Sequence, residues 1–448
     1  MFQHRRRPQR RWPGGLARPA LLAPAVVLVI ALIGSGCGMK QSEVLANAAR
    51  ASATAETYKV GFVVLDLTSL GQALGLDFAS TGDDQAQIMA LTDFINSKGG
   101  LGGRPMEAVI RVYEAFGGNK LKEEQLCKAF TQDDGVQAVV LIGQFQSNAR
   151  PCYAAAKVLM MDATTYPLAQ ADFDLLAPYL WQPSFPEYGE LLAGLVDGLD
   201  RSEFFTDAIP AVVGIDSPAN RRIYDERVKP ALAGISVEPV EVRWIDGSSS
   251  ATLQAGQDQA VLSFKAKAVD RLVVVGGQRL AAFMMETGKK QQFQPRFALT
   301  TWDNPEFAIN NYPDQVLGSE GVSVIPAFDQ VPESDLPFPS GPGENFCLDV
   351  LAKAGQTFKD RQNARVAFLY CDATYLLGRG FAGVTGELTA EAFRDNVWSL
   401  GSEYISAATY ASSFTRGRYA GGDGYRSIRF DQDCACMSLN GDVVRFPR

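Results

Sequence analysis

The sequence predicts an α/β protein built from two doubly wound parallel sheets. Three observations carry this expectation. Short apolar runs alternate with stretches of helical periodicity from Tyr58 onward, the same rhythm restarts at Ala211, and 448 residues suffice for two domains of ordinary size. A hydrophobic content of 46% is enough to fill both cores.

Val60-Gly61-Phe62-Val63-Val64-Leu65 is an unbroken apolar run of the kind found in strands buried on both faces. A loop containing Gly and Ser follows, then a helix over residues 83–98. In it Ile88, Leu91, Thr92 and Ile95 form one inward stripe, and Gly99-Gly100 supplies the stop. Strands are expected at 106–113, 138–142 and 158–161, alternating with helices at 122–130, 148–156 and 187–199. The second series begins with Val212-Val213-Gly214-Ile215. It continues with a helix at 224–232, a strand at 237–244, a helix at 254–268, a strand at 271–275, a helix at 280–287 and a strand at 297–300. Residues 326–343 are rich in Pro and Ser and read as a loop. Helices at 346–354 and 364–377 and strands from Tyr425 onward complete the chain.

The first residues bear on compartment. Arg5, Arg6, Arg7, Arg10 and Arg11 make a cationic start, an uncharged apolar run covers 20–33, and Gly34-Ser35-Gly36-Cys37 closes it with small residues. This order is that of an export signal. The run is shorter than the roughly 20 residues of a membrane-spanning helix, and Pro24 interrupts it. Arg10-Arg11 points weakly to twin-arginine export, because Trp12-Pro13 fits that motif poorly. Residues 1–36 therefore read as a signal peptide and 37–56, rich in Ala, Ser and Thr, as a flexible tether. Gly34-Ser35-Gly36-Cys37 resembles the lipobox of bacterial lipoproteins, although Gly34 stands where leucine is usual and Ile33 lies one place further back. The resemblance implies a diacylglycerol on Cys37 and anchoring on the outer face of the cytoplasmic membrane. A plainly cleaved signal and an uncleaved anchor are the alternatives.

Composition excludes several classes. All of the arginines Arg5, Arg6, Arg7, Arg10, Arg11 and Arg18 precede Cys37 and no acid does, so their removal moves the net charge from −8 to −14. Such a protein has no electrostatic reason to hold nucleic acid. The single histidine, His4, lies in the export segment. The exported chain thus has no Ser-His-Asp or Cys-His catalytic set and no histidine metal site. Carboxylate or lysine chemistry is left open, but no spacing points to it; no enzyme activity, metal or cofactor is expected. Of seven cysteines six follow Cys37, and an oxidising compartment favours three disulfides. Proximity in the chain favours Cys127 with Cys152 and Cys347 with Cys371. Cys434 and Cys436, in a Cys-Ala-Cys on an expected strand, either close a small ring or stay reduced.

The segment Ile95-Asn96-Ser97-Lys98-Gly99-Gly100-Leu101-Gly102-Gly103-Arg104-Pro105 resembles the Asn-Ala-x-Gly-Gly-Ile-x-Gly-Arg stretch of type I periplasmic binding proteins, in their branched-chain amino acid and amide branch. Further matches follow in register: Ile142-Gly143 with Ser147, Asp162-Ala163-Thr164-Thr165 with Pro167, and Phe264-Lys265-Ala266-Lys267-Ala268-Val269-Asp270 with Gln294-Pro295-Arg296-Phe297. A nucleotide loop at Gly99 to Gly103 is the rival reading, but these glycines end a helix and no Gly-Lys-Ser/Thr follows. The resemblance implies two lobes, 57–182 with 326–413 and 183–325 with 414–448, joined by a three-strand hinge crossing near Trp181, Ile325 and Phe414. It implies capture of a small solute, amino-acid-like or amide or another organic molecule, for an ABC permease. A ligand-sensing subunit for a membrane receptor and a histidine-free hydrolase are the competing classes.

The same resemblance assigns candidate ligand contacts. Ser147 and Asn148 correspond to the serine loop that holds the ligand's acceptor group beside a helix start, with simple helix capping as the other reading. Ala163, Thr164 and Thr165 correspond to the second acceptor loop, and Ser80 to a contact before the first helix. In the second lobe the loop Gly276-Gly277-Gln278-Arg279 lacks the carboxylate that would meet an α-amino group, and Ala281 stands in its place. Asn220 replaces an aromatic contact, and Trp302 is either a ligand contact or core. Gln278, Asn220 and Trp302 suit a neutral or amide-bearing ligand with an apolar body, because a buried ammonium without a counter-charge is costly. For the cysteines, thiol titration of the unfolded, unreduced mature protein is expected to leave the six downstream cysteines silent. Four or more free thiols would overturn the three-disulfide expectation.

Overall fold

The computed structural model describes residues 56–67, 80–114, 120–143, 149–276 and 280–447. The export segment, Cys37 and the tether up to residue 55 lie outside the described residues. No helix among the described residues is long and apolar enough to cross a membrane.

The first sheet is fully parallel. β1 (Tyr58–Asp66) pairs with β2 (Met106–Glu114) on one side and β3 (Ala138–Leu141) on the other; β4 (Leu159–Asp162) and β5 (Leu180–Trp181) extend it, giving the order β2-β1-β3-β4-β5. Helices cover both faces, so β3 and β4 are buried along their whole length. α1 (Asp84–Ser97) starts where the Asp83 carboxylate accepts from the Ala86 N–H at 3.0 Å, and it buries Ile88, Leu91, Thr92 and Ile95. Gly100, at φ +77°, makes the turn into β2, where a Cβ would lie 2.0 Å from the Arg104 carbonyl oxygen. α2 (Lys120–Lys128) and α3 (Ala149–Ala155) are joined by the Cys127–Cys152 disulfide, with Cα atoms 6.3 Å apart. α4 (Gln170–Leu176) leads into β5.

α5 (Tyr188–Arg201) opens the second unit of alternation. It is followed by β6 (Pro210–Ile215), α6 (Pro218–Ile223), α7 (Lys229–Gly234), β7 (Glu241–Ile245), α8 (Ser250–Ala266), β8 (Arg271–Val275), α9 (Leu280–Gln291), β9 (Arg296–Thr300), α10 (Pro305–Asn311) and β10 (Glu320–Ser323). β7, β6, β8, β9 and β10 are parallel, repeating the strand order of the first sheet, and an antiparallel hairpin of β11 (Tyr425–Asp431) and β12 (Cys436–Val444) continues the edge.

Between β10 and β11 the chain returns to the first sheet. There α11 (Pro342–Lys353) and α12 (Arg361–Gly380) pack against α1 and α13 (Ala390–Leu400) packs against α12, with Cys347–Cys371 joining α11 to α12 at a Cα separation of 5.9 Å. The chain therefore passes between the sheets three times: after Trp181, after Ser323, and between Ser412 and Gly424. The first and third passages are hydrogen-bonded to each other, Gln182 N–H to the Tyr419 carbonyl at 2.9 Å and Gly421 N–H to the Gln182 carbonyl at 2.7 Å. Trp181 packs among Phe393, Trp398, Phe414 and Tyr419 at centroid distances of 5.4, 6.4, 5.9 and 4.7 Å. Beneath this lies the buried carboxylate of Asp372 on α12. It accepts from the Ser184 hydroxyl at 2.7 Å, the Ala407 N–H at 2.6 Å, the Ala408 N–H at 3.3 Å and the Ser406 hydroxyl.

Several elements depart from the sequence expectations. The helix expected at 224–232 begins at Pro218, behind the Ser217 cap, and runs through a wide turn at Tyr224–Val228 into α7. The strand expected from 237 begins only at Glu241, because Pro239 carries no N–H for the ladder. Cys434 is not on a strand: it sits in the turn after β11, next to Ala435 at φ +49°, and forms a disulfide with Cys436 at the start of β12. α4, α10, α13 and β10 are additional elements.

Candidate functional site

In each sheet the order reverses once, between β1 and β3 and between β6 and β8. Ligands of open α/β sheets bind outside the carboxyl ends of the strands near such points. These ends meet in the present structure. Tyr166, after β4, makes an edge contact with Trp302, after β9, at a centroid distance of 5.2 Å, and Trp302 makes another with Tyr188 at the start of α5 at 4.8 Å. Nearby, Glu306 of α10 lies in the field of Arg365 on α12, which also interacts with Asp84 of α1.

At the carboxyl end of β4 a charge pair is buried. The Arg150 Nε–H donates to Asp162 Oδ2 at 2.6 Å, with side-chain exposures of 5% and 0%. Asp162 Oδ1 accepts from the Thr164 N–H at 3.1 Å and the Thr164 hydroxyl at 2.5 Å. Thr164 therefore orients the carboxylate rather than facing open space. Ala163 is buried and donates its N–H to the Leu141 carbonyl at 2.9 Å, whereas Thr165 is half-buried. Arg150 also lies in the field of the Tyr166 hydroxyl, whose pKa burial raises.

On the second sheet, the Asn220 Nδ2 donates to the Ile215 carbonyl at 2.9 Å and reaches the Gly276 carbonyl at 3.5 Å, linking the ends of β6 and β8. Gly276 has φ +78°, and a Cβ there would fall 2.0 Å from Asn220 Nδ2, so only glycine permits this approach. Burial raises the pKa of the Tyr188 hydroxyl well above its usual value, and the Gly276 backbone beside it offsets part of that rise. Trp302 is 3% exposed, and its Nε1–H, the Tyr188 hydroxyl and Arg150 Nη2 are buried polar groups with no partner among the described residues.

Ala163, Thr164, Thr165 and Trp302 thus come together through Tyr166, and Asn220 joins them through Gly276 and Tyr188. Ser80 does not join this group as a side chain: it is exposed, and its carbonyl accepts from Asn363 Nδ2 at 3.0 Å on the start of α12. Ser147, Asn148 and Gln278 lie outside the described residues. Arg150, Tyr166 and Tyr188 were not among the sequence candidates. One signal for Arg150 was present, since Asp162 stands where the resembled loop carries proline, and a buried carboxylate demands a cation.

A cavity of about 750 Å³ lies elsewhere, at the amino-terminal pole of the first sheet, lined by Phe94, Lys98, Phe346, Tyr375, Arg379 and Phe381 among others. None of the buried polar atoms without a partner belongs to its lining. The cleft between the sheets therefore has the stronger physical argument for a ligand.

No protein-family model matches the sequence, and no curated protein matches it. Solved structures do. A periplasmic binding protein type 1 from Bordetella pertussis Tohama I superposes with a TM-score of 0.61 over 86% of this chain and 100% of that one, at 16% identity. The fold is that of the type I periplasmic binding proteins. Two further structures of this fold are a solute-binding protein of an ABC transporter from R. palustris in complex with 4-hydroxybenzoate and a branched-chain amino acid ABC transporter protein from Thermus thermophilus with bound valine. The first has 14% identity, coverage of 87% and 98% and a TM-score of 0.60. The second has 13% identity, coverage of 87% and 97% and a TM-score of 0.59. The likeness is one of fold. Within this type I fold the three passages between sheets form the hinge, and the Tyr166–Trp302 contact spans the cleft.

Below that contact lies a buried acidic cluster. Asp329 Oδ2 accepts from the hydroxyls of Thr301 at 2.6 Å and Ser323 at 2.5 Å, and Ser323 meets the Tyr410 hydroxyl at 3.0 Å. Asp303 Oδ2 accepts from the Thr300 N–H and hydroxyl at 2.8 and 2.9 Å. Burial pushes both carboxyls up to about 7; their hydroxyl partners hold them back, and for Asp329 the neighbouring Asp303 and Glu306 push further. A carboxyl held above its unfolded value binds its proton more tightly in the folded chain. Its contribution is fully present below about pH 4 and is lost as pH rises towards 7. The thermal midpoint is therefore expected to fall between pH 5 and pH 8, and to fall less in Asp329→Asn. Identical pH profiles for the two proteins would contradict this.

Proposed function

We propose that the protein is an extracytoplasmic solute-binding lipoprotein, which captures a small organic molecule between its two lobes and presents it to the permease of an ABC importer. The observation that carries this reading is the meeting of the two sheets at their strand ends, through Tyr166, Trp302 and Tyr188, across a hinge of three passages. A ligand that contacts both lobes at that point favours closure by its differential affinity for the closed state. Proteins of the same fold are solved with 4-hydroxybenzoate and with valine, so the fold accommodates solutes of this size. The lobes taken as 57–182 with 326–413 and 183–325 with 414–448 place one side of the cleft on each.

Closure on a solute is tested by thermal shift against amino acids, amides and aromatic acids. A solute at 100 times its dissociation constant adds about 2.7 kcal/mol of stability. At least one compound is expected to raise the midpoint and to reduce the radius of gyration. A panel without either response would count against the proposal.

The cationic start, apolar run and small residues before Cys37 support export with a lipid on that thiol. Metabolic labelling with a fatty acid is expected to mark the wild-type chain in the membrane fraction. Cys37→Ser is expected to lose the label; a labelled variant, or an unlabelled wild type, would refute the anchor.

A further inference from the structure

We infer that the solute is a small carboxylic acid with an aromatic or apolar body and no amino group, and that Arg150 holds its carboxylate while Trp302 and Tyr188 supply further donors. This rests on the solute-binding reading above.

The two buried arginines of the first lobe make the case by contrast. Arg361, 5% exposed, has every guanidinium nitrogen partnered: Nε with Glu344 at 2.7 Å, Nη1 with the Leu336 carbonyl at 2.9 Å, and Nη2 with the Pro337 carbonyl at 2.7 Å. Arg150, 4% exposed, bonds Asp162 through Nε alone. The second Asp162 oxygen is held by Thr164, so the carboxylate does not close the bidentate pair that Arg111 makes with Asp134 at 2.7 and 3.0 Å. Arg150 Nη2 is left buried without an acceptor among the described residues. Native structures rarely leave such a donor unmade, because its desolvation is uncompensated.

Arg150 is tied to the cleft through Asp162, which lies four residues before Tyr166 on the same strand end. The Tyr166 hydroxyl lies in the field of Arg150, the Tyr166 ring meets Trp302, and Trp302 meets Tyr188. The Trp302 Nε1–H can only donate, and the Tyr188 hydroxyl meets no acceptor for its proton among the described residues. What these groups lack is acceptors. A carboxylate provides them, and its bond to a guanidinium is charge-assisted. Among the described residues each carboxylate near these rings is already engaged: Asp162 accepts three hydrogen bonds, Asp303 is turned onto Thr300, Glu187 accepts from the Gln170 and Glu190 N–H groups, and Glu306 lies in the field of Arg365, while Ala281 is buried and apolar. Three aromatic rings, two of them perpendicular to the third, favour a flat or apolar body.

A matched set decides the matter: 3-phenylpropanoate, 3-phenylpropanamide and phenylalanine, with benzoate and 4-hydroxybenzoate as shorter acids, titrated calorimetrically into the purified protein. The best acid is expected to bind at least about tenfold more tightly than the amide and the amino acid. Arg150→Lys, which keeps the charge beside Asp162 but loses the planar fork, is expected to lose about tenfold for the acid and little for the amide. Tyr188→Phe keeps its ring and Trp302→Phe keeps an aromatic, though smaller, side chain, and each removes one donor; they are expected to weaken acid binding severalfold even if the Arg150 variant does not fold. Preference for the amide or for phenylalanine, or unchanged acid affinity in all folded variants, would overturn the inference and leave the solute-binding reading standing. A protein that closes on no compound in either panel would overturn both.

Discussion

The arrangement depends on one buried carboxylate. Asp372 lies in the middle of α12, yet its partners come from both ends of the hinge: Ser184 just beyond the first passage and residues 406–408 just before the third. A lobe assembled from two separate stretches of chain needs a bond between those stretches near the point where both leave it. A carboxylate that accepts hydroxyl and backbone donors does this without requiring a cation, because hydrogen bonding to the charged form offsets part of the cost of burial. Burial still prevails, and it pushes the Asp372 carboxyl up to about 6. The aromatic cluster around Trp181 packs the first passage against the third, where backbone hydrogen bonds also join them.

Much of this was legible in the sequence, for definable reasons. β1, β3 and β8 announce themselves because strands covered on both faces must be continuously apolar, as Val60, Phe62, Val139 and Val273 show by their burial. α1 is legible from both its stripe and its Gly99-Gly100 stop. β10 is not, because Glu320, Gly321 and Ser323 give it a polar composition while tertiary bonds supply its stability. Glu320 is held by Arg296 and Arg429, and Gly321 packs against the backbone of Leu299. The Cys434 position was misread because alternation of two cysteines about one residue fits a strand and a tight turn equally well.

The candidate site was legible in its loops and not in its charges. Ala163, Thr164 and Thr165 were named from the order of motifs, and Trp302 as either a ligand contact or core; Trp302 lies against Tyr166, the residue after Thr165. The pairing of Arg150 with Asp162 joins residues twelve positions apart in sequence across two elements, which no local pattern encodes. The partnering of Tyr166, Tyr188 and Trp302 is longer in range still. Such contacts appear only once the elements are set against each other in three dimensions.

The disulfides have a bearing on how the chain reaches this state. Cys127 bonds Cys152, Cys347 bonds Cys371 and Cys434 bonds Cys436, so every cysteine after Cys37 joins its next neighbour along the chain. A polypeptide emerging amino terminus first can oxidise them one pair at a time, each loop closing before the next thiol arrives. None of the native bonds waits for the chain to return from its excursion through the second sheet. The discontinuous lobe is therefore completed by packing and hydrogen bonds alone, and no disulfide reshuffling is demanded of the compartment in which it folds.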